Sequence, residues 1–419
     1  MTAYTTTRQP LPDREPVIQA GILGAVGTRH MLHGPFGRAE QPDGSLLLTP
    51  LSADASFTIP EVRIGIGFHW ERIEPQRFHG ALRIHPDGLM VNEVALEEYL
   101  LSVVSSEMKA TAPVEFLKAH AIVSRSWLIA MLEKGRMGNG ETSHSAHTRI
   151  SFDEEQGCRE ITRWYDREAH TRFDVCTDDH CQRYQGISRA ASPAVEQAVR
   201  ETRGVVLAYD GKVCDARFSK CCGGATEEYS SAWEDADVPY LRSVSDTDAE
   251  GYCFCATDDA GLLASILNGY DLDSPGFHRW EESLTQDDAA TLIAGKTGID
   301  VGAVVSLRPL SRGKSGRVTR LLVKGTKDSL IIGKELEIRR VLSPSHLKSS
   351  AFEVIALGKD SRPAKDGQVP ERFIFSGRGW GHGVGMCQIG AAAMAARGAG
   401  HKSILNHYFT DAELITLYR

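Results

Sequence analysis

The chain has no apolar run long enough to cross a membrane, so nothing in its 419 residues reads as a transmembrane helix. It also has no basic stripe. Its 47 lysines and arginines are outnumbered by 55 aspartates and glutamates, a net charge of −8, which leaves no counterion-release driving force for holding nucleic acid. That balance suits an uncharged or lightly charged ligand better than an anionic polymer. An export signal is not visible. Met1-Thr-Ala-Tyr-Thr-Thr-Thr-Arg8 has neither a basic start nor an apolar core, and the apolar run from Val17 to Val26 is short and broken by glycines. Internal repeats and low-complexity linkers are lacking too. What remains, 42% hydrophobic and 24% charged, is a globular composition able to bury one large core or two smaller ones.

Glycine, by contrast, is concentrated where it means most. Every second residue from Gly377 to Gly385 is glycine, so the backbone can lie against something bulky while Arg378, Trp380 and His382 project between the gaps. This pattern predicts a recognition loop. Beyond Gly385 the Ala-, Met-, Ile- and Gln-containing run to Arg397 predicts a helix, with Gly398 as its stop and free backbone donors at its start for sugar or anionic oxygens. A turn that lets Trp380 pack into a core is the competing reading.

A second segment carries an acid. From Leu96 to Met108 the residues Leu96, Leu100, Val103 and Val104 recur at helical spacing, and Glu107 falls next on the same stripe. Glu97 and Glu98 sit at the helix start, where negative charge is favoured without any further role. Glu107 sits at the other end, where helix dipole and burial both favour the protonated form that a general acid needs. Pro113 opens the next predicted helix, whose apolar side of Leu117, Ala121, Ser124 and Leu128 should pack on the first and bring Arg125 toward the cleft holding Glu107. Lys118 lies two turns before Arg125 and can point the same way.

Punctuation sets the coarse organisation. Before residue 91, Val17 to Leu23, Val62 to Phe68 and Gly80 to His85 read as strands of a small β-rich lead-in region. Ser192-Pro193 starts a helix that Gly204 stops, and Val205 to Tyr209 turns at Asp210-Gly211 into Lys212 to Phe218 as a hairpin. From 246 to 310 the chain is acidic, with a helix opened by Thr285, and reads as a flap or small subdomain. The predicted fold class is α+β, with largely antiparallel sheets, packed helices and a binding cleft.

Five segments together resemble the stage II sporulation protein D family, also called the SpoIID/LytB domain. They are Leu96-Glu-Glu-Tyr with Ser-Ser-Glu107-Met, Leu117-Lys-Ala-His-Ala with Arg125-Ser-Trp, Thr202-Arg-Gly-Val-Val-Leu, Cys222-Gly-Gly-Ala-Thr-Glu227 with Pro239-Tyr-Leu, and Gly377-Arg-Gly-Trp-Gly-His-Gly-Val-Gly-Met. Their order is the family's order, and the resemblance runs from about residue 91 to the C-terminus. It implies a domain at 91–419 after an N-terminal region at 1–90. It further implies cleavage of peptidoglycan glycan strands as a lytic transglycosylase, or else a non-catalytic enhancer of a cell-wall amidase, acting outside the cytoplasm. On the same resemblance Glu107 matches the family's catalytic glutamate. Lys118, Arg125, Tyr240 and Arg242 match positions expected around the glycan, and His382 and Gln388 are the glycine segment's own contributions. A transglycosylase needs one acid, whereas glycosidases that use water or a covalent intermediate need two carboxylates.

Nine cysteines, an odd number, exclude full pairing within one chain. His170, Cys176, His180 and Cys181 offer two imidazoles and two thiols within a dozen residues, the ligand set of a structural zinc, although the spacing is not that of a standard finger. Some members of the family are similar in carrying a metal here. A disulfide between Cys176 and Cys181 is the alternative. Four ligands would close such a site, which argues against a zinc hydrolase. Cys221, Cys222, Cys253 and Cys255 are read as disulfide-forming, with a second metal site as the alternative.

Overall fold

The computed structural model describes residues 14–419 except 26, 67–70, 138–146, 166–169, 171, 178–180, 190–191 and 273–275. Helix α1, Leu96–Glu107, begins where the strand Met90–Ala95 ends, and no side chain of its own caps it. The cap comes from far away: the Glu15 carboxylate accepts the Glu97 amide at 2.9 Å. Leu96, Leu100, Val103 and Val104 are fully buried, each contributing roughly 1.5 to 3 kcal/mol of apolar burial. They pack with Leu117, Ala121 and Leu128 of helix α2, Val114–Met137, in one large core that runs from Ile18 to Phe409. The expected helix pairing is therefore present. Helix α3, Pro193–Glu201, starts on a Ser192 cap as read from the sequence, and the turn after Val205–Tyr209 places Asp210 and Gly211 at positive φ, the geometry of a tight hairpin.

The N-terminal strands do not form a separate lead-in. Val17–Gly21 pairs antiparallel with Met90–Ala95 and parallel with Val175–Cys176, inside a six-stranded sheet that also takes in Ala81–Ile84, Leu46–Pro50 and Phe36–Glu40. The boundary expected at residue 90 thus falls within one sheet and one core.

A second core lies elsewhere than expected. Sheets of five strands (Val304–Arg312, Val318–Gly325, Ser329–Gly333, Cys158–Trp164, His147–Asp153) and three strands (Arg279–Thr285, Arg372–Arg378, Phe352–Leu357) enclose Trp280, Ile293, Val323, Ile338 and Phe375. The helix Gln286–Thr297, capped by Thr285, belongs to this unit. The acidic stretch 246–310 is thus no single flap: its first part joins the large core through Phe254 and Ile266, and its second part opens the smaller one. Arg279 and Arg378 stand opposite each other in register, so the main chain leaves for the second unit and returns at neighbouring points.

Candidate active site

Glu107 ends α1 with 8% of its surface exposed. Its Oε1 accepts the Arg183 amide at 3.0 Å, and Oε2 has no hydrogen bond among the described residues. Lys220 lies alongside, its Nζ donating to the Glu107 carbonyl at 2.8 Å and to Asp271 Oδ2 at 3.1 Å. Arg183 reaches the other oxygen of Asp271 at 3.6 Å. Burial alone would raise the Asp271 carboxyl, but Lys220 and Arg183 hold it below the usual carboxylate range, and burial in turn pulls Lys220 below the usual lysine range. Of the two acids, Asp271 is committed to two cations, whereas Glu107 has an oxygen to spare.

A neutral histidine completes this surrounding. His120, fully buried on α2, accepts from Gln388 Nε2 at 2.9 Å, and its Nδ1 meets Ser124 Oγ at 3.2 Å, which assigns the proton to Nδ1. Burial sets its pKa at about 4 against the opposing pull of Glu107. Lys220, Asp271, Arg183 and His120 were not singled out by sequence. The one available signal was the position of Lys220, two residues before Cys222-Gly-Gly.

The glycine segment does meet this region, by an unexpected route. Phe218–Ser219 pairs in parallel with Met386–Cys387, the Ile389 amide bonds the Lys220 carbonyl, and Gln388 opens the helix Gln388–Ala396. What the glycines admit is a part of the protein itself. The guanidinium of Arg317, fully buried, bonds the Gly381 and Cys222 carbonyls, and a Cβ on Gly383 would stand 2.4 Å from it. A Cβ on Gly385, at φ +75°, would stand 2.0 Å from the Arg217 carbonyl oxygen. Two of the helix-start donors are likewise occupied, the Ile389 amide by the Lys220 carbonyl and the Gly390 amide by Cys387 Sγ.

Other residues assigned to the glycan are engaged elsewhere. Arg125 does not turn toward Glu107: it is fully buried in a two-pronged pair with Glu97, at 2.6 and 3.0 Å, and bonds the Val205 carbonyl. Glu97 also accepts from the Gly204 amide and the Tyr418 hydroxyl, so it is a hub rather than a bystander of the helix start. Lys118 lies between Glu115 and Glu201, at 2.6 and 2.7 Å. The Tyr240 hydroxyl accepts the Asp215 amide while its ring leans on Tyr209. Arg242 is exposed and lines a shallow pocket of about 410 Å³ with Glu228, Tyr229 and Asp235; neither Glu107 nor Lys220 lines it.

His382 is packed edge-on against Trp233, 4.9 Å between ring centres, and its Nδ1 accepts the Val384 amide. Burial, then Arg217 and Arg317, hold its pKa well below the usual histidine range. His382→Ala should accordingly lower stability by about 1 to 3 kcal/mol, read as a fall in melting temperature. An unchanged melting temperature with weakened glycan binding would return the ring to a ligand-facing role.

Nine free thiols are present. His170, Cys176 and Cys181 bring their ligand atoms within 4.8 Å of one another, with Cys181 Sγ 3.5 Å from His170 Nε2. His180 lies outside the described residues. The expected disulfides are not formed: Cys222 and Cys255 approach to 3.5 Å and Cys253 and Cys255 to 3.8 Å as thiols.

Among known proteins, the family model for the stage II sporulation protein matches residues 87–209, the span that holds α1, α2 and Glu107. Residues 87–209 thus carry a stage II sporulation protein domain, and the chain is similar to proteins named for that family. Beyond that SpoIID domain, residues 227–385, which take in most of the second core, match a domain of unknown function, DUF8618. The stage II sporulation protein D of Bacillus subtilis is 24% identical over 77% of this chain and 75% of its own length. An uncharacterized protein of Brachyspira hyodysenteriae is 27% identical over 84% of this chain and 75% of its own. The amidase enhancer of Bacillus subtilis is 28% identical over 52% of this chain, a match that spans 32% of that protein. No helix among the described residues is long and apolar enough to cross a membrane.

Proposed function

We propose that this protein acts on the bacterial cell wall, outside the cytoplasm, and cleaves peptidoglycan glycan strands as a lytic transglycosylase. The observation that carries the reading is the unequal state of the two acids: Asp271 is neutralised between Lys220 and Arg183, while Glu107 is fixed by one amide and keeps Oε2 open. With one available carboxyl, a route through a second carboxylate is disfavoured. Glu107 protonates the glycosidic oxygen as the C1–O bond breaks. The resulting carboxylate then takes the proton of the muramic C6 hydroxyl as that oxygen bonds to C1, closing a 1,6-anhydro ring and regenerating the acid. Exposed Arg242 and the pocket beside it, which Glu107 does not line, are the surface we assign to glycan held away from the cleaved bond.

The experiment is digestion of intact and amidase-stripped peptidoglycan with analysis of products by mass. Anhydro-muramyl ends support the reading. Glycan binding with no new ends, and faster release of peptides when an amidase is added, would instead support the second reading, an enhancer, which the name of the 28% identical relative favours.

We further propose that His170, Cys176 and Cys181 hold a structural zinc. Their fit is geometric: ligands at about 2.0 Å for nitrogen and 2.3 Å for sulfur on a tetrahedral ion stand about 3.5 Å apart, the separation found between Cys181 and His170. Its task would be positional, because Cys181 is two residues from Arg183, whose amide holds Glu107. Cys176→Ser should therefore release one metal equivalent per chain and lower the melting temperature by several degrees, on the order expected for a closed site. Metal content equal to the parent's would contradict this assignment.

A further inference from the structure

A different set of thiols is more deeply buried. Cys222, Asp246, Cys255 and Cys387 come from four separate segments, all are buried, and their ligand atoms lie within 4.8 Å of one another. Asp246 is fully buried, yet no lysine, arginine or histidine pairs with it among the described residues; it accepts from the Tyr408 hydroxyl at 2.6 Å and the Cys255 amide at 2.9 Å. A buried carboxylate without a cation is costly, and its surroundings do not offset that cost. They add three sulfurs. Cys387 Sγ caps the helix Gln388–Ala396, accepts the Cys222 amide at 3.2 Å and the Gly390 amide at 3.4 Å, and so sits where anionic sulfur is favoured.

We infer that these four residues form a second metal site, for a thiophilic divalent cation of the zinc class. Sulfurs at about 2.3 Å from a tetrahedral ion are about 3.8 Å apart, close to the 3.5 Å between Cys222 and Cys255. A disulfide would join one pair and leave Asp246 uncovered, whereas a dication answers the carboxylate and all three sulfurs at once. Three soft sulfurs with one oxygen select zinc over magnesium or calcium. The neighbouring group of Cys253, Cys255 and His278 shares Cys255 and is only half-buried, so with Cys255 committed it does not make another complete site. The ion would clamp three pieces that adjoin the Glu107 surroundings: the strand end carrying Lys220, the loop 246–255, and the helix that begins with Gln388.

The site is tested on the full chain in a Cys176→Ser background, so that the first cluster does not contribute. The protein is stripped under reducing conditions and titrated with cobalt(II) chloride, followed by the visible bands of tetrahedral thiolate-bound cobalt and by metal analysis. One equivalent is expected to bind with those bands, be displaced by zinc, and be lost in Cys255→Ser. Asp246→Asn, which keeps shape and the bond from Tyr408, should weaken cobalt binding at least about tenfold, no less than loss of an outer-shell partner does. It also serves if Cys255→Ser does not fold. Full binding by Cys255→Ser, an unchanged affinity in Asp246→Asn, or a reduced, folded parent that takes up no cobalt would each overturn the site.

Discussion

Glu107→Gln is expected to abolish the appearance of anhydro-muramyl ends while leaving the melting temperature and glycan affinity close to those of the parent. Gln keeps the shape of the side chain, and its Oε1 can still accept the Arg183 amide at the place where Glu107 accepts it now. What it loses is the transferable proton. General acid–base catalysis of this kind contributes roughly a hundred- to ten-thousandfold, so the rate should drop at least about a hundredfold. Product formation within a few-fold of the parent would remove Glu107 from the chemistry and leave the enhancer reading standing.

Arg125→Leu should produce the largest loss of stability. Arg125 is fully buried, and its removal strands the Glu97 carboxylate in the core with only the Gly204 amide and the Tyr418 hydroxyl as partners. Removing one member of such a pair costs about 3 to 5 kcal/mol, a large fraction of the ~5 to 15 kcal/mol that holds a domain folded. Denaturant unfolding should show it as a lower midpoint, and Glu97→Leu combined with Arg125→Leu should recover part of the loss because no charge is left unpaired. A folded, stable Arg125→Leu protein with weakened glycan binding would restore the ligand-facing role inferred from its helix position.

The contrast between Glu97 and Glu107 marks how far sequence reasoning reaches. The stripe of Leu96, Leu100, Val103 and Val104 has the 3.6-residue period, so the buried face of α1, and Glu107 on it, were legible. Local caps and turns at Ser192, Asp210-Gly211 and Thr285 were legible for the same reason: their physics lies within a few residues. Glu97 was not, because its partner is 28 residues on and its environment is made by Gly204 and Tyr418. Lys220 and Asp271 stand 51 residues apart and, one at a time, look like surface charges. The alternating glycines correctly announced a close approach, but the object approached is Arg317, a residue of the second core that no local pattern identifies. The strand Val17–Gly21 read correctly as a strand, while its partners at 90–95 and 175–176 depend on register across the whole sheet.

The pairing of His120 with Gln388 spans 268 residues. Contacts of such high sequence separation form late, because loop-closure entropy has to be met before they reward it. A chain emerging from synthesis therefore carries its acid long before it carries the residues that finish the surroundings of that acid, and the whole second core has to appear in between. Fragments ending before Met386 contain Glu107 yet lack the strand and helix that close around Lys220, and the same holds for a chain cut within the second core and released.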